Sequence, residues 1–425
     1  MNTITERARM SHVIEFHAAL RPLLGPRASF KLSILFLILL YSNVALLYPA
    51  LEAVRPVLAV AIAAILMMVI ELAAARQRFR LTWPQGYLLI AFIGVAVISS
   101  FSAVYIRQAL QTTSDIAKIL LIYVLLENTV TSEGRLRMVL WTLTLGGLFP
   151  AIGTITNFLR GVLLEQNRAA WVGVFRNPNE NAYAMILLIP LAAVLASTSR
   201  WSVRAALSGV IAAYLVAIYL TYSRGGLLGL LVVVGLMGWK QKSLVIRGFM
   251  GAALALGLAA VVLLWNREDD FKDLSSDTTV NQRIATIKAG MAMFADNPMW
   301  GVGPGCSLVA YPLYVPKEAH CGCQDQLVIH NAFIQVLSEM GLLGFIPFAG
   351  FIGLTMFQLR SIEKSGRSDG RITAYAGALN LALTGFVACG LSGGFAYSWF
   401  PYILTALAMA AKRVAESEAG ESCRT

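Results

Sequence analysis

Only four histidines occur in 425 residues. One of them, His330, stands where an irregular stretch turns into an apolar run, HNAFIQVLSEMGLLGF. A histidine at such a lip can accept a proton near neutral pH. Its place before a helix N-terminus favours the neutral form, because the helix dipole disfavours a cation there. Asp325 and Glu318 lie upstream as carboxylates that could orient the ring, and Asn331 follows. The bland alternative for the pair is a polar helix cap.

Arginines supply the complementary chemistry. In TYSRGGLLGL, Arg224 follows Tyr222 and Ser223 and opens an apolar run. An arginine at a membrane boundary is costly unless it snorkels or meets a partner. At a helix N-terminus it also adds its charge to the dipole in favour of an anion, and two following glycines let backbone or ligand come close. Arg283 and Lys288 sit five apart in VNQRIATIKAG, a spacing that does not share a helix face well, so a solvated charge is the default reading from spacing. FRNPNENAYAMILLIP crowds Asn177, Asn179, Glu180 and Asn181 at a helix entry behind Pro178. Capping needs one such side chain, and Arg176 and Arg168 just before could add to an anion site.

One base, several arginines and no acidic metal cradle suit a reaction in which a diphosphate leaves and a hydroxyl attacks. Arginine neutralises the leaving group through its fork of donors and histidine removes the hydroxyl proton. That chemistry calls for no metal and no cofactor. The glycines of NPMWGVGPGCSLVAY suggest a phosphate cradle, but no strand precedes them and no Lys-Ser/Thr follows; a loop shaped to fit other parts of the protein is the stronger reading. The acidic cluster Glu268, Asp269, Asp270 and Asp273 is flanked by Arg267 and Lys272 and reads as a solvated loop.

The elements that must position these residues are apolar. Hydrophobic residues make up 57% of the chain, charged ones 13%, and the mean hydropathy is +0.68. A soluble domain is about a quarter charged, and long uncharged runs of about 20 residues read as membrane helices. The expected fold is an all-α polytopic membrane protein with twelve spans, near 30–48, 54–73, 86–106, 113–128, 137–158, 180–197, 204–221, 225–239, 246–265, 330–358, 372–391 and 396–412. The fourth and eighth are the shortest. The net charge of +11 comes from Lys and Arg in short loops, which is a topology signal rather than a nucleic-acid face. With the N-terminus inside, 22 of the 34 Lys and Arg fall in cytoplasmic segments, so both termini are expected there. The organisation is then a cytoplasmic segment 1–29, spans one to nine in 30–265, a large, partly helical periplasmic loop 266–329, spans ten to twelve in 330–412, and a cytoplasmic tail 413–425. His330 faces the non-cytoplasmic side. Cys306, Cys321 and Cys323 share the large loop; in an oxidising compartment Cys306 would pair with Cys321 or Cys323, and otherwise all three are free thiols.

H-N-x9-G-x-x-G, from His330 and Asn331 to Gly341 and Gly344, is similar to the pattern of bacterial O-antigen ligases, members of the O-antigen ligase/polymerase superfamily. S-R-G-G at 223–226, N-P-x-x-G-x-G-x-G at 297–305 and F-R-N-P-N-x-N at 175–181 resemble that family too. The resemblance spans roughly residues 30–412 and implies an inner-membrane enzyme with a periplasmic site. Such an enzyme resembles metal-independent, inverting C-type membrane glycosyltransferases. It moves a polysaccharide from undecaprenyl diphosphate to a sugar hydroxyl of lipid A–core in lipopolysaccharide biosynthesis. By the same resemblance His330 is the base, and Arg224 and Arg283 bind the diphosphate. Asn331, Arg176, Asn177, Asn179, Asn181, Tyr222 and Asp325 are secondary candidates. The superfamily also holds O-antigen polymerases, whose acceptor is another lipid-linked glycan, and protein oligosaccharyltransferases, which tend to carry a longer C-terminal extension than this chain. A transporter or flippase is the competing class. It would need mid-membrane charges, and Glu71, Asp115 and Lys118 are the main candidates, the last two spaced to pair with each other.

Overall fold

A computed structural model describes residues 28–241, 243–245, 247–248, 250–252, 255, 278–316, 326–365 and 370–422. Among these residues every regular element is a helix, apart from an isolated bridge between Leu164 and Arg168. Lipid offers no hydrogen-bond partners, so apolar segments satisfy their backbone groups within themselves. The helices are α1 (Ala28–Ser42), α2 (Pro56–Ala74), α3 (Gln85–Phe101), α4 (Ile106–Thr129), α5 (Glu133–Gly146), α6 (Leu148–Leu159) and α7 (Pro178–Ser197). There follow α8 (Trp201–Leu220), α9 (Arg224–Trp239), α10 (Thr278–Asp296), α11 (Ser307–Tyr314), α12 (Ala332–Ser365), α13 (Gly370–Gly390) and α14 (Phe400–Ser422). Two short helices, Val44–Leu47 and Pro49–Val54, link α1 to α2.

Seven of the described helical stretches are long and apolar enough to cross a membrane, and α1, α3 and α9 are shorter apolar helices. Each expected span coincides with a helix except the ninth, 246–265, which lies largely outside the described residues. The fourth is longer than expected: α4 has 24 residues because its polar first turns, IRQALQTTSD, are helical as well. The last also overruns its expected end, since α14 continues through KRVAESEAGES to Ser422.

Hydropathy does not rank burial. The most apolar window, in 50–74, has a mean hydropathy of 2.7 but is only 11% buried, whereas that of α7 has 1.6 and is 83% buried. The first faces lipid. The second is the axis of the bundle, packed by α5, α8, α9 and α13. Asn177 caps α7 by accepting from the Asn179 N–H at 2.9 Å, with Pro178 in the first turn. At the end remote from His330, Glu71 caps α1 through the backbone N–H and hydroxyl of Ser29. Asp115 and Lys118 form an exposed i, i+3 pair at 2.7 Å. These charges serve local ends and surfaces.

The tightest joint lies near His330. α12 is interrupted at Gly341 (φ 61°, ψ −163°), a conformation open to glycine alone. Residues 298–303 pass through the break. Val302 and Gly303 N–H donate to the Ser338 and Glu339 carbonyls, both at 2.9 Å, and Leu342 N–H donates to Pro298 O at 2.8 Å. Ser99 Oγ of α3 donates to Trp300 O at 2.7 Å. The buried Glu339 carboxylate accepts from Gly305 N–H at 2.8 Å, Tyr397 OH at 2.6 Å and Ser307 Oγ. The amides at 302, 303 and 305 are thus committed to α12, so the Gly-rich stretch is a docked loop.

A Cβ on Gly341 would lie 2.3 Å from the Met299 carbonyl carbon, whereas one on Gly353, in the same helix, would meet nothing within 4 Å. Gly341→Ala is therefore expected to cost about 1–3 kcal/mol from backbone strain alone, with the clash added. Gly353→Ala should be neutral or stabilising. Thermal unfolding of the two variants in detergent checks this; equal midpoints would remove the joint from the account.

Candidate active site

His330 sits immediately before α12, and the helix start is fixed by its neighbour. The Asn331 side-chain oxygen accepts from Phe333 and Ile334 N–H, both at 3.0 Å, and its amide donates to Leu391 O at 3.2 Å. Asn331 is therefore the cap and a tie to the turn after α13, which leaves the cap role filled without His330. The imidazole is half-buried, and its pKa is lowered from 6.5 to about 4, first by burial, then by the charges of Arg283 and Arg168. The direction is the one expected from the sequence. The helix dipole is not among its causes.

Arg283 reaches this place through α10. Gly290, two turns further along the same face, packs without a side chain against Ile329 and Ile334, where a Cβ would lie 2.9 and 2.8 Å from their atoms. That contact sets α10 against the segment around His330. The Arg283 Nε is buried with no hydrogen-bond partner among the described residues, an arrangement that costs free energy until an acceptor arrives.

Arg224 is positioned from another direction. Ser223 caps α9, its Oγ accepting from Gly226 N–H at 3.1 Å and donating to Asn179 Oδ1 at 2.8 Å. Arg224 is the first residue of α9 and half-buried. The two glycines after it admit neighbouring protein: a Cβ on Gly225 would lie 2.1 Å from Ser392 Oγ, and one on Gly226 would lie 2.9 Å from the Ala182 methyl. Asn179 also accepts from Arg168 Nη2 at 2.6 Å, and Arg168 Nε donates to Thr221 O at 2.9 Å.

The asparagines of FRNPNEN divide their work. Asn177 is exposed and caps, while Asn179 bridges Arg168 and Ser223. Asn181 is buried, roughly 200° round the helix from Asn179, and donates to Thr154 Oγ1 of α6 at 2.7 Å. Its contact is a packing one. Arg176 is exposed. Tyr222, at φ 46°, is buried with Phe158, Tyr219 and Leu227, and burial raises its phenol pKa; it wedges the turn between α8 and α9. Cys306 is a buried free thiol whose Sγ donates to Tyr105 O at 3.4 Å, so the expected disulfide through Cys306 is not formed. The other two cysteines, Cys321 and Cys323, and the carboxylates Asp325 and Glu318, lie outside the described residues. Among the described residues no three His, Cys, Asp or Glu side chains cluster to hold a metal.

Sequence reading missed the turn that joins these parts. In LSGG, Leu391 O accepts from Asn331, and Ser392 accepts or donates with Tyr183 OH at 3.1 Å while packing on Gly225. Gly394 leaves room for Ile329 O, which a Cβ would meet at 2.0 Å. The turn touches the His330 segment on one side and the α9 start on the other. Its only signal was a Ser-Gly-Gly break between two apolar runs, which also describes an ordinary loop.

Asn331→Ala removes both caps and should cost about 1 kcal/mol or more. Asn331→Ser keeps a capping oxygen and should lose less. Equal unfolding midpoints for the two variants, measured in detergent, would contradict the capping assignment.

Residues 209–349, about a third of the chain, match the family model described as O-antigen ligase. The match takes in S-R-G-G, α10, the docked loop, His330 and Gly341, and it stops short of FRNPNEN. No curated protein matches the chain. One solved structure, described as "Structural coordination of polymerization and crosslinking by a peptidoglycan synthase complex", is similar at 16% identity, covering 80% of this chain and 99% of that chain with a TM-score of 0.41. Over residues 209–349 the chain is thus similar to the O-antigen ligase family.

Proposed function

We propose that this protein is an O-antigen ligase of the inner membrane, with both termini in the cytoplasm and its site facing the periplasm. The donor is a polysaccharide on undecaprenyl diphosphate, and the acceptor is a sugar hydroxyl of lipid A–core. The observation that carries the reading is the half-buried His330, kept neutral beside two arginines. A neutral imidazole is a base, and fixed guanidinium groups around it suit an anionic leaving group.

His330 takes the proton of the acceptor hydroxyl as its oxygen attacks the anomeric carbon of the donor sugar. The bond from that carbon to the diphosphate oxygen breaks on the opposite face, and configuration inverts. Undecaprenyl diphosphate leaves with the bonding electrons, and Arg224 and Arg283 stabilise its charge. The proton held by His330 passes to solvent. No step requires a metal. The transporter reading loses its support where Asp115 and Lys118 pair on the surface and Glu71 caps α1.

Purified protein, supplied with undecaprenyl-diphosphate-linked glycan and lipid A–core in EDTA, should form the ligated product. His330→Ala and Arg224→Ala, folded by thermal melt, should each lose a hundredfold or more, in line with the ~10²–10⁴ contributed by a positioned base. Longer lipid-linked chains without transfer to lipid A–core would make the protein a polymerase. Undiminished activity of His330→Ala would end the mechanism.

A further inference from the structure

Helix α10 has two faces, and the proposed reaction uses only one. Ala285, Ala289 and Met293 are buried, Gly290 packs on Ile329 and Ile334, and the Arg283 Nε is enclosed on the flank. The opposite face carries Ile284, Lys288, Met291 and Ala295, at i, i+4, i+7 and i+11, and all four are exposed. Ile284 leaves 47% and Met291 43% of its surface open. The half-buried Ile287 and Phe294 widen the stripe towards Arg283. A helix face turned to water is ordinarily polar. Here Lys288 is the single charge, and it joins none of the ion pairs among the described residues. Nor is α10 one of the helices long and apolar enough to cross a membrane, so a span does not explain the stripe.

The stripe continues into surfaces that lipid covers. Met299 and Trp300 follow α10 directly and are exposed. Ser99, in the last turn of α3, holds Trp300 O at 2.7 Å. Pro298 O and Met299 O accept from Leu342 and Leu343 N–H at 2.8 and 3.3 Å. Beside these joints Ile98 and Phe101 of α3 and Leu342 and Ile346 of α12 are exposed. Both helices are apolar, and in a membrane such side chains meet acyl chains. Trp300 therefore stands where α3 leaves the bilayer, the level that tryptophan favours. We infer that α10 is an interfacial helix whose Ile284–Met291 face rests in the lipid leaflet at the His330 end, with Lys288 reaching anionic headgroup phosphates. The partner of this surface is a phospholipid bilayer. Seated there, α10 brings Arg283 to the level of the lipid phosphates, where the diphosphate of a lipid-linked donor would lie. That consequence rests on the ligase reading; the membrane seat itself does not.

Spin-label accessibility tests the seat without turnover, in nanodiscs of phosphatidylethanolamine and phosphatidylglycerol. Cys306 and Cys389 are buried, and Cys321→Ser, Cys323→Ser and Cys423→Ser remove the other thiols. Labels are placed through Ile284→Cys and Met291→Cys, each alone. Ile62→Cys, exposed on the lipid-facing α2, and Thr131→Cys, exposed in the loop between α4 and α5, give the lipid and water references. Labels at 284 and 291 should favour oxygen over a nickel chelate, as at 62. Preference for the chelate, as at 131, would put the face in water and overturn the inference. Poor access to both reagents, with or without broadening between labels, would mean that protein covers the face, and overturns it as well. In the transfer assay Met291→Glu should raise donor KM about tenfold, as for a charge brought to the acyl boundary, while Met291→Leu keeps the wild-type value. An unchanged donor KM in Met291→Glu would sever the seat from Arg283. Oxygen-favouring labels in a protein that transfers no glycan would keep the membrane seat and remove the reaction, and chelate-favouring labels in an active ligase would do the reverse.

Discussion

α12 breaks at Gly341 because a second stretch of backbone passes through the gap, and the His330 end of the molecule depends on that crossing. Three consecutive features follow from it. The carbonyls of Ser338 and Glu339 are satisfied by residues 302 and 303. The Glu339 carboxylate, which would be costly to bury alone, receives three donors from the loop and from Tyr397. The half-helix from Ala332 to Met340 is then held at a fixed angle to the rest of α12, with His330 at its head. Because α10 leads directly into the docked loop, the same crossing also determines where Arg283 stands.

On this scaffold the site is assembled from separate segments that small polar residues tie together at several points. Asn331 ties α12 to the turn after α13, Ser392 ties that turn to Tyr183 and Gly225, and Asn179 ties α7 to Arg168 and Ser223. Each joint is a short side chain or a missing one, so the segments approach closely and leave little slack. Such preorganisation suits a reaction whose catalysis consists of holding a base and a set of cations around a leaving group. The desolvation that lowers the His330 pKa comes from the same close packing.

Much of this was legible in the sequence because apolar runs in a membrane must be helices, and their ends were marked by polar residues. The stretch at 180–197 read as a span, and α7 occupies it with Asn177 as cap. What was not legible was partnership. Asn177, Asn179 and Asn181 look alike in a string, yet their directions round the helix give them three unrelated contacts. The glycines of S-R-G-G read as room for backbone or ligand, and the string could not say that Ser392 and Ala182, far away in the chain, approach there. Cys306 seemed available for a disulfide because loop membership says nothing of burial, and its thiol is enclosed. Helix α4 was underestimated because hydropathy discards polar turns that the backbone keeps helical.

In the proposed mechanism His330 remains neutral where an ordinary histidine would be protonated, so that it can act as a base in a positively charged place. The acid limb of kcat/KM for glycan transfer reads the pKa of the free enzyme's essential base most directly. With that pKa at about 4, activity should hold at its plateau at pH 6 and 5 and fall tenfold per unit only once the pH drops below about 4, because protonation then removes the base. A limb centred at 6.5 or higher would mean that neither burial nor the two arginines act on the reacting imidazole, and the account of this site would be wrong.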